Sequence, residues 1–399
     1  MKTSAVIAEY NPFHKGHLWQ LNEMKKNGAS HIVVIMSPDF TQRGTPALFP
    51  KRVRAKAALM NGADLVIELP VCYAAAGAQR FAFGAVQTVC SMGCVDQLAF
   101  GAEDSDLALL ESAASALDDT RVQQELRLEM SNGITFAKAR ENAVAKVFGN
   151  KVAAVLQTPN NILGVEYICQ LQKADFINKP KPFAVARVGN AHDGAPKEGF
   201  ASASHIRKLI TDGSWDEAEK YLPSSAFKLY KQAEAEGLCA DIHNGKRAIL
   251  SALRRMSKEE MALLPDISEG IENRLYKAAH KACSIDELYE LIKTKRYTLS
   301  RVRRLVTAAF LQLPAAIKDE APPYIRVLGA NKNGMELLSK MKQTASLPVS
   351  ASLAKLMQLG GRAGDFAALE NACADQYRLF TKTISPCGTD CTESAVFMK

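Results

Sequence analysis

The stretch Ser4-Ala5-Val6-Ile7-Ala8-Glu9-Tyr10-Asn11-Pro12-Phe13-His14-Lys15-Gly16-His17 decides how the chain is read. Ser4 to Ala8 is an apolar run long enough for one buried strand, and Asn11-Pro12 ends it. From there Leu18, Leu21 and Met24 recur at helix spacing. A strand, a tight loop and a helix N-terminus in succession make an anion site, because unpaired backbone N–H groups and the helix dipole face the loop. His14 and His17 share one side of the helix entrance. Gly16 between them has no Cβ, so a flat ring or a phosphate can approach the backbone. Such an H-x-G-H pattern suits cleavage of a nucleoside triphosphate between its α and β phosphates, where the protein stabilises charge on phosphoryl oxygens and supplies no nucleophile. Without the flanking strand and helix, the same four residues would read as a histidine pair capping a surface helix.

Working outward, His31–Met36, Asp64–Leu69 and Val95–Phe100 read as further buried strands, with a basic helix from Lys51 to Asn61 and another helix over Ala78–Ser91. Short strands alternating with helices predict an α/β fold: a Rossmann-like parallel sheet with helices on both faces. Its ligand crevice opens at the carboxyl ends of the strands, so the loops Tyr10–His17, Ser37–Gly44 and Gly101–Asp104 should line it. Pro182–Val188 reads as a last strand that sets Arg187 beside the crevice. In Thr158-Pro159-Asn160-Asn161, one asparagine reads as a helix N-cap, and the second either shares that structural role or reads a base or ribose edge. Ser202-Ala203-Ser204-His205-Ile206-Arg207 opens another helix, where Ser204 and Arg207 can grip a phosphate.

The 399 residues exceed one compact core; two domains are expected, and length alone allows a third. From Trp215 onward strand-like runs almost vanish, and residues 236–380 read as a mainly helical basic domain following an α/β domain of 1–235. The tail 381–399 reads as poorly ordered. Tyr324–Leu328 reads as one more strand, in a small α/β element closing the second domain. A net charge of +8 and a pI near 8.9 permit a polyanionic partner. The run Lys293–Arg304 carries Lys295, Arg296, Arg301, Arg303 and Arg304 with no acid and with Tyr297 interleaved. It reads either as a solvated helix face or as an RNA contact. No run of 18 apolar residues and no cleavable leader are visible, so a cytoplasmic protein with no membrane partner is expected. Nine scattered cysteines read as reduced thiols; Cys90/Cys94 and Cys387/Cys391 lack the paired halves of a zinc site, and no metal-ligating cluster is expected.

The linked motifs carry a resemblance. H-x-G-H with a late S-x-S-x-I-R is similar to the nucleotidylyltransferase superfamily. More narrowly, E-Y-N-P-F-H-x-G-H at Glu9–His17, F-x-Q-R-G at Phe40–Gly44, P-N-N-x-L-G-x-E-Y at Pro159–Tyr167 and K-R-Y-T at Lys295–Thr298 resemble the bacterial tRNA(Met) cytidine acetate ligases, over the chain up to about Leu338. The resemblance implies that acetate is activated with ATP as acetyl-adenylate and passed to the exocyclic amine of the wobble cytidine in the anticodon of elongator tRNA(Met), with no DNA substrate. It implies His14 and His17 as catalytic residues and Mg²⁺ accompanying the phosphates. Ile7, Ala8, Glu9, Tyr10, Asn11, Pro12, Phe13, His14, Lys15, Gly16 and His17, together with Gly101, Asn160 or Asn161, and Arg187, would hold ATP. Ser204 and Arg207 would hold its phosphates, and the basic domain would hold tRNA. Ser37-Pro38-Asp39 departs from the Ser-Gly-Asn expected of the family. A competing reading, a nucleotidyltransferase making a dinucleotide-type cofactor from ATP and a phosphorylated small molecule, needs no basic helical domain.

Overall fold

A computed structural model describes residues 1–188, 199–268, 270–315 and 320–398. Four strands, β1 (Thr3–Ala8), β2 (His31–Met36), β3 (Leu65–Glu68) and β4 (Gln97–Ala102), and a fifth, β5 (Lys181–Ala186), form a parallel array in the order β5-β4-β1-β2-β3. The chain leaves β1 toward β2 on one side and returns to β4 on the other. The crevice at the carboxyl end of β1 is therefore the point where strand order reverses, the usual ligand position in such sheets. β1 registers Ala5 on Val33 and Val6 on Val34.

The strand sequences are apolar on both sides because both faces are covered. Ala5, Val33, Ile35 and Leu65 pack under the helices Ala78–Ser91 and Pro159–Lys173. Val6, Ile32, Val34 and Val66 pack under Lys15–Lys26 and Lys51–Met60. The helices Ala203–Thr211 and Ser224–Ala235 join the second face through Ile206 and Tyr230.

The second half departs from expectation in two places. β6 (Ile325–Ala330) does not belong to a separate element: it pairs antiparallel with β3 and extends the main sheet, followed by β7 (Val349–Ser350). The helical lobe is thus bracketed in sequence by parts of one sheet, its core built from Ile249, Leu253, Leu275, Leu288, Val302 and Leu305. The tail is also folded. β8 (Val396–Phe397) pairs with β6, and Asp390 is 3% exposed, where Lys51 Nζ and Arg326 Nη1 each donate to it at 2.6 and 2.7 Å. The same two cations hold Glu68 at 2.6 and 2.7 Å. A carboxylate from the tail completes a buried cluster of charges around Lys51 and Arg326, of which the local sequence, read as poorly ordered, carries no trace.

Candidate active site

The crevice is built from the β1 loop upward. His14 is the N-cap of Lys15–Lys26: its Nδ1 accepts from Gly16 N–H at 3.0 Å, and His17 Nδ1 reaches back to accept from His14 N–H at 3.2 Å. This is a capping box made of two imidazoles. The rings stack with centroids 3.8 Å apart. A Cβ on residue 16 would lie 2.9 Å from His14 Cε1, so the flat ring that Gly16 admits is that of His14 itself. Both Nδ1 atoms accept, so both rings are the Nε2–H tautomer and present only a donor outward. Burial, then the Arg187 and Arg207 guanidinium groups, push the His14 pKa down to about 3. Burial, then His14 and Arg187, hold His17 well below its ordinary 6.5. Each ring is neutral at neutral pH.

The loop itself is pinned by a fully buried arginine of the basic helix Lys51–Met60. Arg54 donates to the carbonyl oxygens of Glu9 (2.6 Å), Ser37 (3.0 Å), Phe49 (2.8 Å) and Pro38, tying the loops after β1 and β2 together. Asn11 Oδ1 accepts from Leu48 N–H at 2.8 Å, and Phe13 N–H donates to Tyr230 Oη at 2.9 Å. Within the unexpected Ser37-Pro38-Asp39, Asp39 Oδ1 accepts from Lys51 N–H at 2.7 Å at the start of the next helix.

Two connected chambers meet at His14, His17 and Arg187. One, bounded by Trp19, Val185, Phe200 and Ser202, lies toward β5. The other, of about 210 Å³, is bounded by Ile7 to Asn11, Gln42, Arg43, Phe81, Phe100, Leu163, Tyr167 and Ser204. Gly101 lies between them, with Arg187 packed close over it. Asn160 faces the larger chamber, donating to Glu103 and accepting from Arg187 Nη1 at 3.2 Å. Ser204 sits in the first turn of its helix with Arg43 Nη1 3.5 Å from its Oγ, while Ser202 is the N-cap, accepting from His205 N–H at 3.2 Å. Two helix N-termini and several guanidinium groups thus face one space, the arrangement an anionic ligand needs.

Not every expected residue reaches that space. Asn161 is buried and accepts from Glu103 and Asp104 N–H at 2.8 and 3.2 Å, which resolves the asparagine pair: the second is structural. Phe13 is core, and Pro12, joined to Asn11 by a cis bond, bounds neither chamber. Lys15 turns away to donate to Lys220 O at 2.6 Å. Arg207 supports the loop from behind, donating to Asn11 O at 2.7 Å. Gln20, one turn beyond His17 on the same helix face, was missed although its spacing signals it; Phe81 and Phe100 come from distant elements and leave no local signal.

The basic run divides. Lys295 and Arg296 are exposed. Tyr297, interleaved in the run, is 6% exposed, so its ring is not available to stack on an RNA base. Arg301 Nη2 is held by Ser268 Oγ at 2.6 Å and Asp266 O at 3.1 Å. Arg303 lies over the Tyr289 ring. Arg304 is at the seam with the crevice, its Nη1 3.5 Å from Gln42 O, and Thr307 Oγ1 donates to Gly44 O at 2.9 Å. Gly44, at φ +69°, packs so tightly that a Cβ there would lie 2.3 Å from Arg304 N.

The family model for HIGH Nucleotidyl Transferases matches residues 1–389. A Caldanaerobacter subterraneus subsp. tengcongensis protein named tRNA(Met) cytidine acetate ligase is 38% identical over 362 residues, covering 89% of this chain and 90% of its own length. A Thermoanaerobacter protein of the same name is 37% identical over 395 residues, covering 96% and 97%. The crystal structure of Thermotoga maritima TmcAL bound with alpha-thio ATP superimposes with a TM-score of 0.92 at 30% identity, over 100% of both chains. The apo form gives 0.94 at 31%. The chain therefore belongs to the HIGH nucleotidyl transferase family, among the tRNA(Met) cytidine acetate ligases.

Proposed function

We propose that this protein is an ATP-dependent ligase that forms acetyl-adenylate and acetylates the exocyclic amine of the wobble cytidine of elongator tRNA(Met), yielding N4-acetylcytidine, AMP and pyrophosphate. The observation that carries the chemistry is the imidazole capping box, which fixes two neutral Nε2–H donors at the mouth of a helix beside Arg187. An acetate oxygen attacks the α-phosphorus, and the bond to the β-phosphate oxygen breaks as pyrophosphate leaves. His14 and His17 donate to the oxygens where charge accumulates, and Arg187, Arg43 and Ser204 sit where the phosphates pass. Ile7, Ala8, Gly101 and Asn160 bound the nucleotide's space. The mixed anhydride is kept from water by the chamber walls until an extruded cytosine enters.

When bound, Mg²⁺ neutralises phosphate charge. Among the described residues no group of three or more His, Cys, Asp or Glu side chains could cage it. The exposed Lys295 and Arg296 supply the sequence-independent attraction that tRNA phosphates need. Among the described residues no helix is long and apolar enough to cross a membrane, and action in the cytoplasm follows from the tRNA substrate.

The test is acetate-dependent ATP–pyrophosphate exchange, followed by incubation with an elongator tRNA(Met) transcript and nucleoside mass analysis. The reading expects exchange that requires acetate and a 42-dalton gain on one cytidine, the mass of an acetyl group replacing hydrogen. A dinucleotide-type product, or exchange indifferent to acetate, would replace it with the competing enzyme class.

A further inference from the structure

Transfer of the acetyl group requires something the activation step does not, a proton acceptor. As the amine nitrogen attacks the acetyl carbonyl carbon, the bond from that carbon to the phosphate oxygen breaks, AMP leaves with the electron pair, and one N–H proton must go elsewhere. The histidines are unsuited: each Nδ1 already accepts a backbone N–H, at 3.0 and 3.2 Å, so each ring offers only a donor. The guanidinium groups of Arg43 and Arg187 have no lone pair to offer.

Among the described residues, the one acidic residue bounding either chamber is Glu9, in the wall of the larger. Its Oε1 is fixed by Gln42 N–H at 2.9 Å. Its backbone carbonyl is fixed by the buried Arg54 at 2.6 Å. The nearby Glu103 is committed differently, with one carboxylate oxygen taken by Asn160 and the other by Asn161 N–H at 3.1 Å. A carboxylate is also the group that pairs with the exocyclic amine of cytosine in nucleic-acid readout. We propose that Glu9 is the catalytic base of acetyl transfer: it accepts a hydrogen bond from the cytosine amine in the larger chamber and takes its proton as the acetyl group arrives.

This inference rests on the ligase reading above, and the experiment separates the two. Pre-formed acetyl-adenylate on wild-type enzyme, Glu9→Gln and Glu9→Asp is mixed with tRNA under single-turnover conditions, and acetate-dependent exchange is measured in parallel. Glu9→Gln keeps an oxygen for Gln42 N–H but cannot take a proton. Transfer should fall by about 10²–10⁴-fold, the scale of a lost general base, and at least tenfold further than exchange falls. Glu9→Asp should recover part of the transfer rate, and Glu9→Ala should regain transfer on addition of formate. Thermal melting of each variant identifies any that fails to fold. Equal losses in exchange and transfer would make Glu9 a support for the nucleotide site. Undiminished transfer would leave the proton to a phosphate oxygen of the departing AMP. Either result overturns the assignment, whereas absence of acetate-dependent exchange in the wild type would instead overturn the ligase reading.

Discussion

His14 performs two functions that one substitution can separate. Its Nδ1 caps the helix Lys15–Lys26, and its Nε2–H faces the chambers. His14→Ala removes both. Loss of an N-cap costs about 0.5–2 kcal/mol of stability, and loss of one donor to a developing oxyanion costs about 10²–10³ in rate, or about 2.7–4 kcal/mol. Asparagine is among the best N-caps, and its short side chain cannot place an N–H where Nε2 stands. His14→Asn should therefore melt within about 0.5 kcal/mol of the wild type and still lose the same two to three orders of magnitude in acetate-dependent ATP–pyrophosphate exchange. His17→Gln is the companion: glutamine at the third helical position retains the reach back to the His14 N–H but no longer places an N–H where the imidazole Nε2 stands. The assay pairs exchange kinetics with chemical denaturation of each variant. If His14→Asn exchanged within tenfold of the wild type while His14→Ala was slow, the imidazole would be a structural cap alone and the transition-state role would fail.

Three further outcomes follow from the same geometry. Lys295→Ala with Arg296→Ala should weaken tRNA binding and flatten its salt dependence by about 0.7–0.9 per lost phosphate contact, with exchange in the absence of tRNA retained; an unaltered salt slope would return this segment to a solvated surface. Asp390→Ala leaves Lys51 and Arg326 facing each other with Glu68 as their shared close carboxylate, so denaturation should show a loss of about 3–5 kcal/mol, and a value under 1 kcal/mol would mean the tail is not integral. Because His14 and His17 stay neutral when folded, the unfolded chain takes up protons below about 6.5 that the folded chain refuses, until about 3 at His14 and well below the ordinary histidine range at His17. Their contribution to stability is complete above 6.5 and shrinks as pH falls from there toward 3, and exchange by the free enzyme should show no histidine inflection between pH 7 and 5.

The parallel sheet was legible because its strands are short apolar runs separated by helices, and His31–Met36 and Ala78–Ser91 fall on the very residues expected. The entrance histidines were legible because strand, loop and helix lie within one continuous segment. What escaped the sequence is long-range. β6 reads locally as any apolar strand, and nothing near it records that its partner is β3, some 260 residues earlier. Asp390 sits among small polar residues, and only its encounter with Lys51 and Arg326 makes it a core group. Asn160 and Asn161 differ by which side of one helix turn faces the chamber, a rotation that composition does not specify.

The fate of Arg304 changes how the two lobes relate. In a division of labour where the helical lobe merely holds RNA, its arginines would point outward and the crevice would be indifferent to them. Instead Arg304 and Thr307 reach the carbonyl oxygens of Gln42 and Gly44, and Gln42 N–H in turn holds Glu9. The loop that furnishes Gln42 and Arg43 to the larger chamber is thus seated on the same helix, Leu299–Leu311, that begins beside the exposed basic residues. Close packing between the Gly44 backbone and Arg304 transmits displacement rather than absorbing it. Arg304→Ala should accordingly lower exchange even when tRNA is absent, unlike the changes at Lys295 and Arg296. Arg304→Lys should rescue little, because a point charge on a flexible stem does not reproduce a planar guanidinium. A variant that exchanged normally yet bound tRNA weakly would show Arg304 to be an RNA ligand, and the loop would then owe its position to Arg54, Thr307 and the Gln42–Glu9 hydrogen bond.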